Sequence, residues 1–207
     1  MKILDISQEV FGCAVWPGDP APERIMLSRI RDGAVCNVTA LKMCAHNGTH
    51  ADAPCHFLEH RESIGRIPLD RFVGYAYVSS HEGGLSAADA ESVLRRAQAV
   101  SADSGIPGCD GFRRILIRGD AVVTEEAAEV FAGCGIYLIG NESQSVGPEN
   151  APMAVHRILL GSGTVLLEGI RLREAGDGLY FLNAAPLNLD GADGAPCRAW
   201  LIPAGEL

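Results

Sequence analysis

The sequence predicts a single α/β domain built round a mixed β-sheet. Three observations carry this. The chain has 207 residues, 47% of them apolar and 21% charged, a length and composition that give one domain a sizeable core; a chain of this size buries roughly 70% of the surface its unfolded form exposes. Short β-prone apolar runs outnumber helical segments and interleave with them. The 24 glycines and 11 prolines are spread along the whole chain, as expected of many short elements joined by tight turns.

Taken in order, Ile3 to Ile6 reads as a short strand, and Trp16-Pro17-Gly18-Asp19 as a turn carrying a large aromatic. Val35 to Met43 is apolar and β-prone, and predicts a strand. Tyr75 to Val78 predicts another. Ala87 to Val100 is the strongest helix, with Ser86 at the N-cap and Asp89 three residues on, a variant of the capping box. Ile115 to Ile117 is a short buried strand. Thr124 caps a second helix whose first turn holds Glu125 and Glu126, where carboxylates suit the helix dipole. Ile136 to Ile139 is a strand, and Met153 to Leu160 a helical turn or two after Pro152. Val165 to Leu167, Leu179 to Leu182 and Ala199 to Ile202 complete the set.

The formal charge is −9. Its sign argues against a nucleic-acid surface, which needs clustered Lys and Arg, and against an anionic membrane. No apolar run exceeds four residues, so none predicts a membrane span. Asp5 stands where a signal peptide needs an apolar stretch. Seven cysteines, an odd number without a CxxC pair, fit reduced thiols in a cytoplasmic protein.

Chemistry concentrates between positions 46 and 57, His46-Asn47-Gly48-Thr49-His50-Ala51-Asp52-Ala53-Pro54-Cys55-His56-Phe57. His46, His50, Asp52 and His56 fall within eleven residues of a chain that has six histidines. Gly48 and Pro54 disfavour a continuous helix. In an extended segment His50 and Asp52 point to one side, and His46 can join them. Two imidazoles and a carboxylate suit Zn²⁺, Mn²⁺ or Fe²⁺. His56, four residues past Asp52, is placed to serve the site without ligating. A Cys55–His56 nucleophile pair is disfavoured, because adjacent residues of an extended segment point apart. His60 and His81 lack such company and read as ordinary surface histidines.

The pattern HxGTHxDxPxH resembles the signature of the cyclase-like metal-dependent hydrolases, the family that includes the bacterial kynurenine formamidases (arylformamidases). The resemblance spans nearly the whole chain. It takes in Leu4-Asp5-Ile6-Ser7, Trp16-Pro17-Gly18-Asp19, Ile67-Pro68-Leu69-Asp70, His156, Leu166-Leu167-Glu168-Gly169, and the stretch from Ala185-Pro186-Leu187 to Ala195-Pro196-Cys197-Arg198-Ala199. It implies a barrel-like mixed sheet of the swivelling β/β/α kind, a homodimer, and two divalent ions per subunit, zinc or manganese. His46, His50 and Asp52 would bind the first ion. Asp52 would bridge to a second bound by His156, and Glu168 would touch both. Trp16 would contact substrate. The implied activity is hydrolysis of N-formylkynurenine to kynurenine and formate by a metal-bound hydroxide, with His56 protonating the leaving amine. Related amide and lactone hydrolases, such as those acting on isatin, share the signature. A non-catalytic metal- or ligand-binding protein on the same fold is the rival from another class, and His56 argues against it. Asn141-Glu142-Ser143-Gln144 stands where a formamidase is expected to carry an Asp-Thr-Pro-like stretch, which bears on the substrate.

Overall fold

The computed structural model describes residues 1–207. Its strands are β1 (Leu4–Asp5), β2 (Glu23–Ser28), β3 (Val38–Lys42), β4 (His50–Asp52), β5 (Val73–Ser80), β6 (Gly83–Leu85), β7 (Arg114–Arg118), β8 (Ala121–Val123), β9 (Leu138–Asn141), β10 (Val165–Glu168), β11 (Gly178–Asn183), β12 (Gly194–Pro196) and β13 (Trp200–Pro203). Three helices, α1 (Ala87–Asp103), α2 (Glu125–Gly133) and α3 (Met153–Gly161), are interleaved with them.

Nine strands form one mixed half-barrel sheet in the order β1-β13-β11-β5-β7-β9-β10-β4-β12. β5, β7, β9 and β10 run parallel at its centre. Parallel neighbours need a crossover, and α1, α2 and α3 supply the three. The flanking pairs are antiparallel.

Strand pleating explains the two cores. Leu116, Leu138, Val165 and Leu167 point to one face, where they meet Leu182, Leu201, Ile64 and Phe72. Their neighbours Ile115, Ile117, Ile139 and Leu166 point to the other, beneath Leu94, Phe131 and Leu159 of the three helices. Both helix starts use the expected chemistry. Ser86 and Asp89 form a full capping box, and Thr124 Oγ1 accepts from Ala127 N–H.

Two expectations need correction. The predicted strand at Val35 to Met43 begins only at Val38 and lies outside the main sheet. It pairs with β2 in a separate two-stranded sheet, where Leu27 and Leu41 on the strands, and Ile30 and Val35 in the connection between them, are exposed. These residues are β-prone but cover no core of their own chain. The predicted Ile3 to Ile6 strand is cut to Leu4–Asp5, although Ile3 to Ile6 still ends in the core through buried Ile6. No helix is long and apolar enough to cross a membrane.

Candidate active site

β4 and β10 run antiparallel, with His50 opposite Glu168 and Asp52 opposite Leu166. Ala51 faces the far core. By alternation His50 and Asp52 therefore share the helix-bearing face with Glu168. Gly48, at φ +75°, takes a left-handed turn that suits glycine. Beyond it His46 folds back, so that its Nδ1 lies 2.9 Å from Asp52 Oδ1. Gly194 of β12 makes room: a Cβ there would stand 2.7 Å from His46 Cε1. His156 comes from α3. Read alone, it would pass for a surface residue, but it is buried, with Nε2 3.2 Å from Glu168 Oε1 and 3.7 Å from Asp52 Oδ2.

The structure thus brings His46, His50, Asp52, His156 and Glu168 to one point. Each imidazole is also anchored from behind. His50 Nδ1 donates to Gly48 O at 3.0 Å, and His156 Nδ1 to Pro152 O at 2.8 Å. These bonds fix the tautomers and turn each Nε2 toward the carboxylates. His50 Nε2 lies 3.4 Å from both Asp52 Oδ1 and Glu168 Oε2.

Charge in the cluster is balanced by mutual pairing. Burial opposes charge on His46, but Asp193 and Asp52 prevail and raise its pKa to about 9. Burial likewise opposes charge on His50 and His156. The carboxylates Asp52 and Glu168 hold His50 well above its usual value, and Glu168 raises His156. Burial would raise the acids, yet His46 and His50 hold Asp52 well below the carboxylate range, and His156 and His50 lower Glu168.

The donors fit a divalent cation. His50 Nε2 and Asp52 Oδ2 are buried without a hydrogen-bond partner. An unsatisfied buried polar group costs about 1–3 kcal/mol, and a cation held between them satisfies both. Two donor triads, His46–Asp52–His56 and His50–Asp52–Glu168, each have their ligand atoms within 4.8 Å of one another. Asp52 belongs to both. The first triad places His56 among the donors as well as beside them.

A cleft of about 360 Å³ opens over the cluster, within the range of small-molecule sites. Trp16, His56, Phe57 and Gln144 are among its lining residues. His60 and His81 lie outside it. His56 follows Pro54 in a short 3₁₀ turn, with its ring stacked on His46 at a centroid distance of 4.1 Å. The divergent loop divides into two roles. Asn141 donates to Ala121 O and Ser145 O, and the Glu142 carboxylate accepts from Gly119 N–H and Leu172 N–H. Those residues hold the backbone together. Gln144 and Ser145 are the ones that reach the cleft. Cys55 is no nucleophile partner for His56: its thiol lies 3.7 Å from Ala192 O.

The sequence does not single out Asp193, yet its Oδ2 lies 3.0 Å from His46 Nε2 and 3.0 Å from His56 Nδ1. Those two bonds hold the Asp193 carboxyl far below the usual range. The only sequence signal was a carboxylate directly before Gly194-Ala195-Pro196, inside a stretch that already resembled the family.

A family model described as Putative cyclase matches residues 4–148. A kynurenine formamidase from Salinibacter ruber is 35% identical over the full length of both chains, 100% of each. Another from Erythrobacter litoralis is 33% identical, over 97% of this chain and 93% of its own. Among solved structures, isatin hydrolase A from Ralstonia solanacearum superposes with a TM-score of 0.77 at 18% identity, covering 97% of this chain and 91% of its own; at that identity the likeness shows the fold. With the family model and the full-length relatives in agreement, the chain belongs to the Putative cyclase family.

Proposed function

We propose that the protein is a metal-dependent amide hydrolase acting on a non-peptide C–N bond, and that its substrate is an N-formyl aryl amine such as N-formylkynurenine, released as formate and the free amine. The observation that carries this is the pairing of orphaned donors on His50 and Asp52 with a second, incompletely bonded histidine, His56, in the same cleft. The full-length resemblance to two kynurenine formamidases supports the substrate. His46, His50, Asp52, His156 and Glu168 would hold two divalent ions, with zinc favoured by the donors and manganese compatible. When bound, such ions supply an ionised water near neutral pH and a Lewis acid for the carbonyl.

The chain supplies the rest. His56 Nδ1 is bonded to Asp193, and Nε2 makes no hydrogen bond to the protein, so Nε2 is the atom that first takes a proton from the attacking water and then delivers it to the departing nitrogen. Without that proton an anilide is a poor leaving group. The Trp16 indole lines the same cleft and offers an aromatic face on which an aryl ring stacks.

The test is turnover of N-formylkynurenine by protein of known metal content. Activity is expected to disappear with EDTA and to return with Zn²⁺ or Mn²⁺. Turnover of isatin but not of N-formylkynurenine would move the substrate to a cyclic amide, the chemistry named for the fold neighbour, with Gln144 and Ser145 the residues to blame.

We also propose a homodimer in the cytoplasm. All seven cysteines are free thiols, as suits a reducing compartment. The β2–β3 hairpin leaves Leu27 64% and Leu41 61% exposed on its strands and Ile30 59% exposed in the turn between them, apolar residues that a second copy would cover. Light scattering is expected to give the mass of two chains, and Leu27→Asp with Leu41→Asp the mass of one. A monomeric parent protein overturns this.

A further inference from the structure

The three imidazoles of the cluster are anchored in two different ways. His50 and His156 each lean on a neutral backbone carbonyl that serves one ring. His46 leans on a carboxylate, and the same oxygen also serves His56. That oxygen sits on rigid backbone. Asp193 O accepts from Ala53 N–H, Ala192 O accepts from Ile64 N–H, and the next residue, Gly194, is in register with Asp52. The Asp193 backbone is therefore fixed against the segment that carries both histidines, and its half-exposed carboxylate is held by its bonds to their two rings.

An ionised carboxylate only accepts hydrogen bonds. Both facing ring nitrogens, His46 Nε2 and His56 Nδ1, must then carry their protons. For His46 this leaves Nδ1 toward Asp52, and for His56 it leaves Nε2 as the nitrogen that exchanges a proton.

We propose that Asp193 is a positioning residue for the hydrolysis. Through Oδ2 it holds His56 as the Nδ1–H tautomer with Nε2 available to substrate, and it holds His46 with Nδ1 toward Asp52, so that one atom keeps the proton donor and the metal-binding cluster in register. The proposal rests on the role given to His56 above. It explains why the two rings lie stacked at 4.1 Å and 28°: they share an acceptor. It is the arrangement by which a carboxylate fixes a catalytic histidine's tautomer, here extended to a ligand's outer nitrogen.

The test compares the zinc-loaded protein with its zinc-loaded Asp193→Ala variant by ¹⁵N NMR of the histidine rings. In the parent, His56 is expected as the Nδ1–H tautomer, and in Asp193→Ala as a mixture. Zinc affinity is expected to fall about 10–100-fold, and kcat at saturating zinc by a similar factor, as for other outer partners of metal-bound histidines. In a His56→Ala background the same substitution should cost no further kcat. A His56 tautomer unchanged by Asp193→Ala overturns the proposal, as do losses that multiply in the double variant. If Asp193→Ala does not fold, Asp193→Asn keeps the shape without the charge. It is expected to lower kcat about tenfold with KM unmoved, and parental kcat there overturns the proposal. If the parent hydrolyses no N-formyl aryl amine, the ring tautomers and the zinc titration still decide the role of Asp193, and only the substrate is wrong.

Discussion

Asp52→Asn is expected to abolish hydrolysis and to weaken the metal-free fold. Asp52 is fully buried and stands at the centre of the cluster, within 2.9 Å of His46, 3.4 Å of His50 and 3.7 Å of His156. As the acid common to both donor triads, it cannot be replaced by a neighbour. A bound cation supplies several kcal/mol of transition-state stabilisation, and each ~1.4 kcal/mol is tenfold in rate. The loss in turnover should therefore be about 10³-fold or more, with metal analysis showing depleted ions. In the metal-free protein the substitution removes one side of a buried ion pair, a change that costs about 3–5 kcal/mol. For a chain of this length that lowers the melting temperature by roughly 6–20 °C. The cost depends on pH with a definite sign. His46 has its pKa raised from 6.5 to about 9 in the fold, so its contribution is complete below pH 6.5 and disappears as pH rises through about 9. Asp52 is depressed below 3.8, so its contribution is complete above that value and fades in stronger acid. Differential scanning calorimetry of the metal-free proteins should show the widest gap near pH 5 to 6 and a narrow one at pH 10. A gap that widens with pH would contradict the pairing.

How much of this was legible in the sequence depends on the distance each feature spans. The helices were, because Ser86 with Asp89 and Thr124 with its acidic first turn are local signals. His46, His50 and Asp52 were, because one strand and one glycine turn place them within seven residues. His156 and Glu168 were not, except through resemblance. What joins Glu168 to the site is the β4–β10 pairing of residues more than a hundred positions apart, and no local pattern encodes that. Asp193 lies 137 residues from His56 and has no spacing to betray it. β2 was missed for a different reason. Glu23–Ser28 belongs to a two-stranded sheet with no buried face, so its sequence carries no apolar alternation to read. The same cause misled the reading of Val35 to Met43: exposed apolar residues of a solvent-facing sheet look like core when only their type is known.

Removing the imidazole of His56 separates the proton transfer from the metal, and the outcome decides what His56 does. His56 side-chain exposure is 27%, against 4% for His50 and 3% for His156; it stands toward the mouth of the cleft while they line its floor. Its Nδ1 is committed to Asp193. Its ring is held on one side by His46 and on another by Phe57, at 4.6 Å edge to face. A ring so held loses little freedom when it acts. General acid–base groups contribute typically about 10²–10⁴-fold, so His56→Ala should lower kcat by that factor. KM should change little, because substrate contacts through Trp16 remain. Metal content should stay at the parental level, because the buried donors are untouched. The first donor triad gives the alternative a definite form: were His56 itself a ligand, His56→Ala would lose metal and activity together. Parental turnover in His56→Ala would remove it from the mechanism altogether and assign the leaving-group proton to another group. Loss of kcat with metal retained sets His56 apart from the ligands, and makes its Nε2 the atom that carries the proton to the leaving nitrogen.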